Sequence, residues 1–117
     1  MDARSGLGRQ GEDLAESVFL RLGFDVVQRN YRCKHGEIDL IARRGRMLVF
    51  CEVKTRRTDM WGMPAEAVGP RKQFRLRRLA TAWLAEHAVG RVQVRFDVVS
   101  VIVRPERSEV THIPDAF

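Results

Sequence analysis

The sequence predicts an α/β domain: a central mixed β-sheet flanked by helices, in the order αβββαβ with a candidate edge strand at the end. Three observations predict it. Between Gly36 and Arg56, two apolar, β-branched runs flank Arg44-Gly45-Arg46, the pattern of a β-hairpin. Two segments, from about Arg9 to Leu22 and from Pro70 to about His87, repeat apolar residues at helical spacing. The run from Gln93 to Val103 is apolar on both faces, as a strand inside a covered sheet must be. A sheet with two apolar faces needs a layer on each side, and the helices supply them.

Residues 1 to about 8 hold Ser5, Gly6 and Gly8 and little to bury, and are expected to be mobile. Leu14, Ala15, Val18, Phe19 and Leu22 form the buried stripe of the first helix, which Gly23 ends with a left-handed stop. A strand follows from Phe24 to about Asn30. Tyr31-Arg32-Cys33-Lys34-His35-Gly36 reads as a basic connection into the hairpin. His35 has no partner at metal-ligand spacing and reads as a loop histidine, with a phosphate contact as the alternative.

Residues 57–69 show no clear period and hold Met60, Trp61 and Met63, so a mobile loop is expected. Three roles stay open for it: a flap stacking Trp61 on a base, a satellite cluster, or an oligomer contact. Pro70 suits the first turn of the second helix. Its stripe is Leu76, Leu79, Ala80, Trp83 and Leu84, with Gly90 past its end. Lys72 and Gln73 fall on the side that points along the sheet toward Glu52 and Lys54. Arg71, Arg75 and Arg78 lie on another side, as a solvated face or a ridge that tracks phosphates. Asp97 interrupts the apolar run of the next strand and is expected to pair with an arginine. Pro105 ends that strand, and Glu109 to Ile113 is the candidate edge strand. The whole chain, 1–117, reads as one domain without internal repeats.

Lys and Arg number 21 against 15 Asp and Glu, a net charge of +6. That balance favours a polyanionic partner: nucleic acid, or an anionic membrane surface. No apolar run approaches the ~20 residues that cross a bilayer, and the first residues lack a signal-peptide core. A cytoplasmic chain is expected, with Cys33 and Cys51 reduced and Cys51 buried as a small hydrophobe.

The charges inside the hairpin are the informative feature. Side chains alternate along a strand, so Glu37 and Asp39 share a face of its first half and Glu52 and Lys54 share one of its second. Their neighbours are almost all apolar. Charges in such a place are costly unless paired or bound to a metal. Asp39 and Glu52, joined by the Val53 carbonyl, would make an all-oxygen site suited to Mg²⁺ or Mn²⁺ rather than zinc. The alternative is an ion-paired network, with Lys54 neutralising Glu52 and an arginine neutralising Asp39. Glu12, in the first helix, either faces this site or complements the helix dipole as a first-turn acid.

The spacing Asp39, twelve residues, Glu52, one residue, Lys54 resembles the core of restriction-endonuclease-like nucleases. The fuller string, Gly36-Glu37-Ile38-Asp39-Leu40-Ile41-Ala42 followed by Glu52-Val53-Lys54-Thr55-Arg56, resembles the YraN family of small bacterial proteins, similar in turn to archaeal Holliday-junction resolvases. The resemblance runs from about Gly8 to Val103. It implies a restriction-endonuclease-like core and a Mg²⁺- or Mn²⁺-dependent endonuclease acting on DNA, branched or structured DNA included, with DNA favoured over RNA. Asp39, Glu52 and Lys54 would be catalytic. Asp39, Glu52, Glu12 and the Val53 carbonyl would hold the metal, and Glu12, Glu37 and Gln73 would support the site. Arg56, Arg57, Arg71, Lys72, Arg75 and Arg78 are the candidate nucleic-acid contacts. A monomer or a homodimer is expected. The reading of a different class is a non-catalytic nucleic-acid-binding or assembly module that keeps the fold.

Overall fold

A computed structural model of the protein describes residues 6–57 and 68–117. The elements are α1 (Gly6–Arg21), β1 (Asp25–Cys33), β2 (Gly36–Arg44), β3 (Met47–Arg57), α2 (Pro70–Glu86), β4 (Gln93–Val103) and β5 (Ser108–Ile113). The strands form one sheet in the order β1-β2-β3-β4-β5. β3 and β4 run parallel, joined through α2, and the other neighbours run antiparallel. This is the expected α/β architecture with β5 as the edge strand, and it matches a restriction-endonuclease-like core.

Each face of the sheet carries its own core. Ala15 and Phe19 of α1 pack with Leu40, Ala42, Val49, Cys51, Val99 and Val101. Leu76, Leu79 and Trp83 of α2 pack with Ile38, Ile41, Phe50, Phe96 and Val98 on the other face. The double cover explains why β3 and β4 read as nearly unbroken apolar runs.

Several boundaries moved. α1 begins at Gly6, so Gly6 to Gly8 are helical rather than a loose end. β1 continues to Cys33, and the expected basic connection shrinks to a turn at Lys34 and His35. The reason is Tyr31: its ring is buried against α2, and its hydroxyl donates to Glu86 at 3.1 Å. Gly90 takes a left-handed φ of 73° between α2 and β4, as its place past the helix suggested. The loop holding Met60, Trp61 and Met63 lies, from residue 58 to 67, outside the described residues.

The sheet forks. β2 pairs with β3 from Arg44↔Met47 only as far as Leu40↔Cys51. Past that point β2 stays with β1 to Gly36↔Cys33, while β3 stays with β4 to Arg57↔Val103. Side-chain alternation also breaks here. Ile38 and Ile41 both enter the α2-side core, whereas Leu40 enters the α1-side core. Strict alternation would place Ile38 with Leu40. Asn30, which lies between the paired positions Arg29↔Leu40 and Tyr31↔Ile38, has φ 56°. Asparagine tolerates that left-handed backbone better than most residues.

Candidate metal centre at the fork of the sheet

Asp39 sits where the two halves of the sheet separate. The Val53 backbone N–H donates to Asp39 Oδ2 at 2.7 Å, in place of a strand-to-strand bond. Carboxylate oxygens of Glu12, Glu37 and Asp39 lie within 4.8 Å of one another. Glu12 is 2% exposed, and Glu37 and Asp39 are half-buried. Burial pushes the Asp39 carboxyl up to about 7; the negative charges of Glu52 and Glu12 and a hydrogen bond with Glu37 add to it, against the Val53 N–H, which favours the ionised form. A hydrogen bond between two carboxyl groups needs a proton on one of them, and the raised Asp39 carboxyl is the one that burial favours for it.

Glu12 reaches the cluster because of what surrounds it. α1 starts at Gly6, so Glu12 lies past the first turn, and the dipole role is not the one it plays. Gly11 lets α1 approach β3: a Cβ there would stand 1.8 Å from Thr55 Oγ1. Arg29 on β1 binds Glu12 at 3.5 Å, Asp13 at 2.9 Å and Glu16 at 2.8 Å, and so holds this stretch of the helix against the sheet. Arg32, opposite Glu37 in the ladder, pairs with Glu37 Oε2 at 2.5 Å.

Glu52 follows Cys51, which faces α1, and it turns toward α2. Its Oε1 meets Lys72 Nζ at 2.5 Å, so its cation is Lys72 rather than Lys54. Its Oε2 is buried with no hydrogen-bond partner among the described residues. Burial lowers the Lys54 pKa; Glu52 works against this and Lys72 adds to it. Gln73 turns the other way, donating to the Val68 carbonyl at 2.6 Å at the start of its own helix. Arg56 and Arg57 continue along the β3 side of the fork, and Arg71, Arg75 and Arg78 are exposed on α2.

The carboxylates brought together are therefore Glu12, Glu37 and Asp39, with Glu52 near enough for its charge to raise the Asp39 carboxyl but turned to Lys72. A hard divalent cation fits this donor set. The ligands are all oxygen, they lie within 4.8 Å of one another, and the buried Glu52 Oε2 has no hydrogen-bond partner among the described residues. Sequence reasoning treated Glu37 as support, although its shared face with Asp39 was legible. Arg29 was missed; the signal for it was the acidic row Glu12, Asp13 and Glu16 on a helix that packs beside a strand carrying Arg29, which is half-buried.

Asp97 forms a second buried polar centre away from the fork. It accepts from Arg95 at 2.8 and 2.9 Å, from the Asp115 backbone N–H at 3.0 Å, and contacts His112 Nε2 at 2.7 Å. The expected arginine pairing holds. Burial would raise this carboxyl, but the bonds from His112 and Arg95 outweigh it and hold the pKa below the usual carboxylate range.

Comparison with known proteins agrees with this architecture in extent. The model of a family described as "Uncharacterised protein family UPF0102" matches residues 11–101, a span that takes in both sides of the fork and α2. The chain is 51% identical to a UPF0102 protein of Acidothermus cellulolyticus, over 89% of this chain and 86% of that one. It is 48% identical to a UPF0102 protein of Frankia casuarinae over the full length of both. A UPF0102 protein of Syntrophotalea carbinolica is 48% identical over 97% of this chain and 93% of its own.

Proposed function

The chain belongs to the uncharacterised protein family UPF0102, the YraN family whose motif string it carries, and from that premise we propose that it is a metal-dependent endonuclease hydrolysing phosphodiester bonds in DNA, branched or structured DNA included. One observation carries the reading: three carboxylates converge within 4.8 Å at the fork, where burial also pushes the Asp39 carboxyl up. Gathering like charges in a half-buried place costs the fold even with Arg29 and Arg32 beside Glu12 and Glu37, and a bound cation would offset that cost.

Glu12, Glu37 and Asp39 would hold Mg²⁺ or Mn²⁺, with Glu52 and the Val53 carbonyl beside them. A bound cation of this kind polarises a phosphodiester oxygen and lowers the pKa of a coordinated water. The Val53 N–H fixes the Asp39 carboxylate, so it is oriented before any ligand arrives. Lys54 stands on β3 with its pKa lowered, so its amine gives up and accepts a proton nearer to neutrality than an exposed lysine. As an ammonium it stabilises charge building on the phosphate. Arg56 and Arg57, further along the same strand, would hold the flanking backbone of the nucleic acid.

The Glu52–Lys72 contact favours a second reading. An acid already neutralised belongs to a structural ion pair, and the chain would then bind nucleic acid without cutting it. One assay separates the two. Protein purified free of contaminating nuclease is mixed with linear, flapped, gapped and four-way DNA, with Mg²⁺ or Mn²⁺. Cutting that disappears in Asp39→Asn supports the nuclease. Binding without cutting on every substrate, unchanged by Asp39→Asn, supports the second reading and removes the first.

A further inference from the structure

The outward face of α2 is built unlike the rest of the surface. Arg71, Phe74, Arg75 and Arg78 follow one another at three- and four-residue spacing, so they form one stripe along the helix. Phe74 is 63% exposed, the most exposed large hydrophobic residue among those described. The Arg78 guanidinium carbon lies 5.8 Å from the centre of its ring. Among the described residues, no carboxylate pairs with Arg71, Arg75, Arg77 or Arg78. Cations crowded into the opening turns of a helix also work against its dipole, and α2 has no acidic residue in its first turn to offset them. The arrangement costs stability, so folding alone does not account for it.

Beside the stripe runs an open groove of about 550 Å³, walled by Phe74 and Arg78 at one side and His35 at the other. His35 belongs to the turn before Gly36, and a side chain at Gly36 would meet Arg75 Cδ at 3.6 Å. Lys72, on the next face of α2, holds Glu52. The stripe is therefore continuous with both sides of the fork, at Gly36 on β2 and at Glu52 on β3.

We propose that this face of α2 engages an unpaired segment of the nucleic acid, with Phe74 as the stacking surface for a base and Arg71, Arg75 and Arg78 contacting the phosphates that flank it. This rests on the nuclease reading for the identity of the polymer and adds what that reading lacks, a preference for strands with exposed bases. The chemistry is that of single-strand recognition. An aromatic face accepts any base, and neighbouring cations follow the backbone. A base held in a duplex presents no face to Phe74, so a fully paired substrate would use the arginines alone. An exposed phenylalanine among guanidinium groups that pair with no carboxylate among the described residues suits a polyanion carrying flat apolar groups better than it suits a protein surface.

Binding is measured in EDTA by fluorescence anisotropy, with a labelled oligothymidylate and with a duplex of matched length, so cleavage plays no part. The variants are Phe74→Ala and Phe74→Trp, with circular dichroism to confirm that α2 is intact. Expected is a loss of about tenfold in single-strand affinity for Phe74→Ala, recovery in Phe74→Trp, and a change under about twofold for the duplex. Unchanged single-strand binding in Phe74→Ala, equal losses on both probes, or no binding of either by the wild type would overturn the proposal. So would a shift from dimer to monomer in Phe74→Ala without an effect on single-strand binding, which would mark this face as a contact between copies. None of these results bears on the nuclease reading, which stands or falls with Asp39→Asn in the cleavage assay.

Discussion

Asp39 on β2 accepts the Val53 backbone N–H of β3 at 2.7 Å, at the point where those strands cease to pair. A side chain thus closes the end of the β2–β3 ladder, and the same carboxylate carries a pKa of about 7. Because the folded value lies above the ordinary 3.8, the fold prefers the protonated form. The stability this contributes is complete below about pH 4 and is lost as pH rises through about 7. Asp39→Asn keeps an acceptor for Val53 and carries no charge. It should leave stability nearly unchanged below about pH 4 and raise it at pH 8, by on the order of 1–3 kcal/mol. Urea unfolding at the two pH values checks this; a variant less stable than the wild type at pH 8 would contradict it.

Metal affinity should separate the carboxylates. The cluster of Glu12, Glu37 and Asp39 predicts that Glu37→Gln weakens Mn²⁺ binding by roughly tenfold or more, the scale seen when a ligand or its close partner is altered. Affinity should also climb about tenfold per pH unit up to about 7 and then level, because the Asp39 proton must leave before the ion binds. Calorimetry in two buffers of different ionisation heat reads both. Wild-type affinity in Glu37→Gln, with loss only in Glu52→Gln, would return the site to the set that sequence spacing alone suggested.

Gly11 lets α1 lie close on β3, so Gly11→Ala should cost about 1–3 kcal/mol and weaken Mn²⁺ binding as Glu12 moves with the helix. The nearest obstruction is the Thr55 hydroxyl, with Thr55 Cγ2 at 3.0 Å. Adding Thr55→Ala removes both atoms and should recover part of the loss. Thermal melts of the single and double variants test it. Additive losses would mean that the close approach does not set the helix position.

Asp97 binds three partners: Arg95, His112 and the Asp115 N–H. Removing the charge leaves a half-buried arginine without its acid and weakens the bonds gathered on a buried carboxylate, so Asp97→Asn should cost about 3 kcal/mol. With its folded pKa held low, Asp97 contributes stability present above the ordinary carboxylate value and lost as pH falls through the folded one. Wild type and variant should therefore converge toward acid pH. Hydrogen exchange should rise first in β5 and in the residues after it, since the Asp115 bond ties that segment to β4. Uniform exchange across the sheet would argue against this local role.

Punctuation and two-faced burial were legible from composition alone. Pro70 and Gly90 bracket α2 and the turn after it, and β4 begins at Gln93 and ends at Val103 as its apolar run indicated. The extension of β1 to Cys33 was not legible, because Tyr31-Arg32-Cys33 looks polar until α2 arrives to cover the Tyr31 ring. Gln73 shared a helix side with Lys72, yet only Lys72 reached Glu52; which neighbour wins a side chain depends on distances that helical spacing does not specify.

The sequence by itself determined the order of elements, the two-layered cover of the sheet, the family and the residues worth suspecting. Those follow from periodicity, turn residues and a motif, which are local properties of the chain. The tertiary structure decided which carboxylates meet. Glu12 comes from α1, and Glu37 and Asp39 from β2, onto one face of the sheet, because the ladder forks after Leu40 and alternation breaks opposite Asn30. Glu52, one bond away from a strict hairpin partnership with Asp39, instead turns to Lys72. The fork separates β1 and β2 from β3 and β4, with a helix packed on each face, and no window of sequence contains all of them.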